Sequence, residues 1–202
     1  MSLVAISGNA SGTGTLTIAA PNTNSNRTLN LPDGSGTFTV NGVNSNIVSG
    51  TAVASTSGTS IDFTSIPSWV KRITVMFQGV SLSGSSDLLI QLGTGGVATT
   101  TGYLVTWGYV YTASSAGVNS ATTSIIRAGS INASTTWSGI VTVNLLSGNS
   151  WVASSTLGSV SDKIITYSSG SITLGGVLNM VRITTSNGTD TFDAGSINIL
   201  YE

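Results

Sequence analysis

The chain has neither cysteine nor histidine among its 202 residues. The first absence excludes disulfides, a thiolate nucleophile and every thiolate zinc site. The second removes the Ser-His-Asp triad, the histidine general base and all histidine-containing metal sites. Charge is scarce as well: six basic and seven acidic residues make up 6% of the chain, against about 25% in an average soluble protein. A net charge of −1 offers no attraction to a phosphate backbone, so no nucleic-acid partner is expected. The start, MSLVAISGNASG, lacks the basic segment and the long apolar run of a secretory signal, and export by that route is not expected. Residues 88–126 contain no charge, yet Gly, Thr and Ser interrupt them throughout and their polarity alternates, so no membrane insertion is expected either.

Ser, Thr, Asn and Gly stand where Lys and Glu usually do, and no window shows a helical stripe. The pattern is all-β. Three tetrads open the chain, Thr15-Leu16-Thr17-Ile18, Thr28-Leu29-Asn30-Leu31 and Thr37-Phe38-Thr39-Val40, each with a strand's period of two. Pro32-Asp33-Gly34-Ser35-Gly36 joins the last two with the chemistry of a hairpin loop. Burying an aliphatic side chain contributes about 1.5–3 kcal/mol, while ordering each residue costs about 1–2 kcal/mol. Leu16, Ile18, Leu29, Leu31, Phe38 and Val40 therefore cannot hold fifty residues folded alone. The hairpin must pack on the rest of its own chain or on copies of itself around an axis, as in interlaced homotrimers. A boundary is expected near Gly50, giving an attachment segment over 1–50 and a distal domain over 51–202.

Beyond it the strands lengthen. Residues 72–80 put Ile73, Val75 and Phe77 on one face, and 137–146 do the same for Trp137, Val141, Val143 and Leu145. Further strands are expected at 61–63, 88–92, 103–111, 151–157, 164–167, 171–174, 181–184 and 196–201. Eight to ten short strands at this spacing indicate an antiparallel β-sandwich, jelly-roll-like in character. Pro67 cannot donate to a ladder, so Ser65-Ile66-Pro67-Ser68-Trp69 reads as a corner.

Only carboxylates remain for catalysis, as a pair flanking a scissile bond. The one close pair, Asp190 and Asp193, is three residues apart on what reads as a turn, where solvated aspartates are ordinary; it is also a weak calcium candidate. No cofactor and no catalytic residue are expected. Gly93-Thr94-Gly95-Gly96 is not followed by a helix and lysine and so is no phosphate loop. Lys71-Arg72, the sole basic pair, reads as a solvated strand start that could meet a partner's carboxylate. The strand GYLVTWGYVY sets Tyr103, Trp107, Tyr109 and Tyr111 on one face. These rings are the candidate receptor-binding residues, suited to sugar rings, or else they fill the core or a subunit interface. Trp137 and Trp151 read as core.

The phrase APNTNSNRTLNLPDGSGTF, residues 20–38, resembles the repeat-like shaft or collar segments of bacteriophage fibre proteins. Residues 61–92, and IPSWVKRITVMF within them, look like the start of the distal domain of phage and prophage tail fibres. The resemblance implies a virion protein: a homotrimer joined to other virion proteins at its N-terminal segment, its distal domain binding a bacterial surface glycan or protein without catalysis. Tail fibres are usually much longer, so a short tail fibre is the first expectation and a capsid decoration protein or head fibre the alternative. A polysaccharide-cleaving enzyme is the second alternative.

Overall fold

The structure, a computed structural model, describes residues 11–14, 24–26, 47–112, 114–115 and 119–202. The chain divides into two compact units, Met1–Gly42 and Val43–Glu202. The three tetrads, with Leu16, Ile18, Leu29, Leu31, Phe38 and Val40, lie outside the described residues.

Among the described residues, the regular elements of the second unit are strands alone: β1 (Val48–Ser49), β2 (Val53–Ala54), β3 (Ser60–Thr64), β4 (Arg72–Leu82), β5 (Leu88–Thr94), β6 (Val97–Ala98), β7 (Leu104–Tyr111), β8 (Ser114–Ser115), β9 (Asn119–Ala121), β10 (Ile126–Ala128), β11 (Trp137–Ser147), β12 (Ser150–Ser159), β13 (Ile164–Thr173), β14 (Leu178–Thr185) and β15 (Phe192–Tyr201). They form two antiparallel sheets. The larger, of ten strands, runs β1-β15-β4-β11-β12-β13-β7-β8, with β2 added on β15 and β9 on β7; the smaller, of five, runs β10-β5-β14-β3 with β6 on β5. One apolar core joins them, Ile73, Val75, Trp137, Val141 and Leu157 from the large sheet meeting Ile61, Ile90, Leu92, Val181 and Ile183 from the small one. The sandwich follows from the period of two: one side of each strand is apolar, and only a second sheet can cover it.

Residues 65–71 form the corner placed at Pro67: Ser65 has φ 61° and the Val70 N–H donates to the Pro67 carbonyl at 3.1 Å. One expectation needs correcting. The segments 164–167 and 171–174 are not separate strands, because β13 runs unbroken from Ile164 to Thr173 between β12 and β7. Ser168-Ser169-Gly170 has a turn's composition, but Gly170 serves another purpose: a Cβ there would collide with the main chain at Ile125, which crosses beneath.

Candidate functional site

The aromatic strand lies toward one side of the large sheet, and its rings occupy the inward face. The two sheets differ in width, so cover along that face is uneven. Tyr103 is wholly enclosed. Its hydroxyl accepts the Leu92 N–H at 2.8 Å and donates to the Thr99 carbonyl at 2.9 Å. Burial pushes its pKa up to about 12, although the Leu92 N–H pulls the other way. Tyr103 is thereby withdrawn from any ligand, which corrects its placement among receptor-binding residues.

Trp107, Tyr109 and Tyr111 are half-buried, because the small sheet covers β7 with only the three residues of β10. Trp107 and Tyr109 have centroids 6.4 Å apart with planes 25° from parallel; Tyr109 and Tyr111 are 6.1 Å apart at 43°. A guest between two rings needs about 3.5–4 Å on each side. A sugar therefore lies across this row or not at all. Arg127 sits with its Cζ 5.3 Å from the Trp107 centroid, a cation–π contact. Its Nε donates to Asp87 Oδ2 at 2.6 Å, and Asp87 Oδ1 accepts the Ser130 N–H at 3.0 Å. A Cβ on Gly129 would run into the six-membered ring of Trp107. Trp107 is thus clamped by parts it does not share with the two tyrosines.

The described carboxylates are all engaged. Arg182 grips Asp62 through two bonds of 2.7 Å, Arg72 pairs with Glu202, and Asp162 accepts from Asn132, Ser159 and Ser161. Asp193 accepts from the Ser81 hydroxyl. Asp190 Oδ2 accepts from the hydroxyl and the N–H of Ser86 at 2.6 and 3.0 Å. The weak calcium candidates, Asp190 and Asp193, are therefore tied to different parts of the chain, Ser86 and Ser81. Among the described residues no group of three or more Asp, Glu, His or Cys could hold a metal ion.

Asp190 latches the loop after β4 to the loop before β15, and Gly84 leaves it room, since a Cβ there would meet the carboxylate. The Ser86 hydroxyl, then the Asn187 side chain, then the Ser86 N–H hold its pKa below the ordinary 3.8 and outweigh desolvation. A lowered folded-state value means the latch contributes above 3.8 and is lost as pH falls through that lower value. Hydrogen exchange at the Ser86 amide, normalised for intrinsic rate, is expected to show protection that fades over this acid range. In Asp190→Asn that pH dependence should disappear; an unchanged profile would show that another group holds the loop.

Three further side-chain sets were not legible beforehand. The outward face of the large sheet carries a row read off its register, Met76, Ile140, Thr156, Tyr167 and Gly108, with Ile165 opposite both Gly158 and Val110. The strands β11, β12, β13 and β7 contain no charged residue. Leu104 is 73% exposed and Ile140 and Ile165 are each 54% exposed, with Val110 and Tyr167 also open. Two other sets are the Arg127–Asp87 clamp and the sandwich mouth around Lys71. Their members are distant in sequence, so no local pattern announces them.

Comparison with known protein families, with characterised proteins and with solved structures found no match.

Proposed function

We propose that the protein is a virion adhesin: a homotrimeric short phage tail fibre whose first segment joins other virion proteins and whose sandwich binds a bacterial surface glycan or protein. The observation that carries the proposal is the uncharged outward face of the large sheet. Exposed Leu104, Val110, Ile140, Ile165 and Tyr167 stand there among Ser and Thr side chains, and several large apolar groups open on one uncharged face favour contact with another protein surface. Taking four strands at ~4.8 Å spacing and about nine residues at ~3.4 Å each, that face measures roughly 600 Å². About 800 Å² per partner is typical of a stable interface. Three copies turning this face toward a common axis come within reach of it. The resemblance of residues 20–38 and 61–92 to fibre segments points the same way, and the interlaced first segment and jelly-roll-like character belong to this proposal. So does the absence of catalysis and of any cofactor.

The half-buried tyrosines form the receptor-facing part of the reading. Three weak sites held together raise avidity by about 10² to 10⁴ over one. Sedimentation equilibrium of the full chain should return three times 20.3 kDa, and labelled protein should decorate cells of a susceptible strain. Tyr111→Ala should keep that mass and lose decoration, whereas Trp107→Ala, which empties the clamp under Arg127, should damage stability first. A single-chain mass at micromolar concentration, or full decoration by Tyr111→Ala, contradicts the proposal.

A further inference from the structure

The loop between β14 and β15 carries an Asn-Gly pair, Asn187–Gly188, and residues 186–189 are exposed. Three donors converge on the Asn187 side-chain oxygen: the N–H groups of Thr189 and Asp190 at 2.9 and 3.0 Å and the Thr185 hydroxyl at 3.2 Å. The Gly188 N–H donates to the Thr185 carbonyl at 3.3 Å, longer than a usual main-chain bond. Gly188 has φ 70°, and nothing lies within 4 Å of where a Cβ would stand. No side chain shields its nitrogen.

An asparagine amide can close a five-membered ring with the next main-chain nitrogen. The Gly188 nitrogen gives its proton to hydroxide and bonds to Asn187 Cγ, while the π electrons of the Cγ–Oδ1 bond move onto Oδ1. That oxygen becomes negative, and donors already aimed at a developing oxyanion lower the barrier. Breaking Cγ–Nδ2 then expels ammonia, which takes a proton from water and leaves a cyclic imide. Water opens the imide at either carbonyl. Breaking the new Cγ–N bond gives aspartate, and breaking the original main-chain bond gives isoaspartate, which lengthens the backbone by a carbon. Nothing is oxidised or reduced.

Asn132 shows what the glycine adds. Its Oδ1 also accepts from three donors, the Ser134 N–H and the hydroxyls of Ser134 and Thr135, but Ala133 follows it and Asp162 holds its Nδ2 at 3.0 Å. We propose that Asn187 is a self-modifying site, which deamidates through Gly188 and thereby releases the latch between Asp190 and Ser86. The Asn187 side chain helps to keep the Asp190 carboxyl ionised. A carboxylate in its place repels Asp190 instead, and isoaspartate also shifts Asp190 away from the Ser86 hydroxyl and N–H, which it now holds at 2.6 and 3.0 Å. The adhesin reading plays no part in this reasoning.

The test is incubation of the full chain at mildly alkaline pH, followed by trypsin digestion and mass spectrometry. The gain in mass of an amide turned to acid, with an isoaspartate form, is expected in peptide 183–202 well before peptide 128–163, which carries Asn132. Asn187→Gln, whose side chain is too long for the five-membered ring, should show no gain in peptide 183–202. Thr185→Val removes one donor from Oδ1 and should slow the reaction about 2- to 12-fold. Converted protein, separated by its added negative charge, should lose the protection of the Ser86 amide against hydrogen exchange. Conversion at Asn132 as fast as at Asn187, a gain that persists in Asn187→Gln, an unchanged or faster rate in Thr185→Val, or unaltered Ser86 exchange in converted protein overturns the proposal.

Discussion

In the proposed trimer, replacing Ile140 and Ile165 together by lysine is expected to reduce the mass from three chains to one while the sandwich stays folded. Both side chains are 54% exposed and belong to strands whose inward faces carry the core. Their loss removes little packing within one chain. Between chains the effect is large, because an ammonium buried without a partner costs about 3–5 kcal/mol, and a symmetric assembly repeats that cost in every copy. Sedimentation reads the mass and circular dichroism the fold. Val97→Lys is the matched control: it is 70% exposed but stands on β6 in the small sheet, and its mass should not change. A double variant that still sediments as three chains would place the interface elsewhere.

The second large effect is expected at Gly195. It lies within the second of two register shifts in the pairing of β15 with β4, where the backbone takes a φ of 92°. A Cβ at this position would strike the carbonyl of Gly79 and come within 2.6 Å of the Gln78 oxygen. Alanine meets two penalties there, each of about 1–3 kcal/mol: backbone strain and overpacking against main chain that cannot step aside. Gly195→Ala should cost about 2–6 kcal/mol, or at least roughly 4–8 °C of Tm in a chain of this size. Gly148 separates the two terms. Its φ is 53° and nothing lies within 4 Å of a Cβ there, so Gly148→Ala should cost only about 1 kcal/mol. Thermal unfolding of both variants decides; equal losses would mean that the crowding at Gly79 is relieved at no cost.

Legibility in the sequence tracked how local each signal was. Ile73, Val75 and Phe77 alternate with exposed or half-covered neighbours, and the chain indeed carries β4 there. Pro67 marked its corner for the same reason, since a missing N–H and a fixed φ act within a residue or two. β10 escaped notice because Ile126-Arg127-Ala128 is too short to show a period. β13 was split because three small residues in a row read as a turn, although partners on both sides keep them extended.

By itself, the sequence determined that the protein is all-β, that its strands have one apolar side, and that cysteine and histidine chemistry is out of reach. These depend on composition and on a period of two, which are properties of neighbours along the chain. Tertiary structure alone decided the rest. Tyr103 and Trp107 share a face of one extended stretch, yet the first is sealed beneath the small sheet and the second stands half-open under Arg127. Cover is set by where another part of the chain stops, and no alternation within a strand encodes it. Lys71 and Asn149 meet at one mouth for the same reason: segments far apart in sequence end at the same edge of the sandwich.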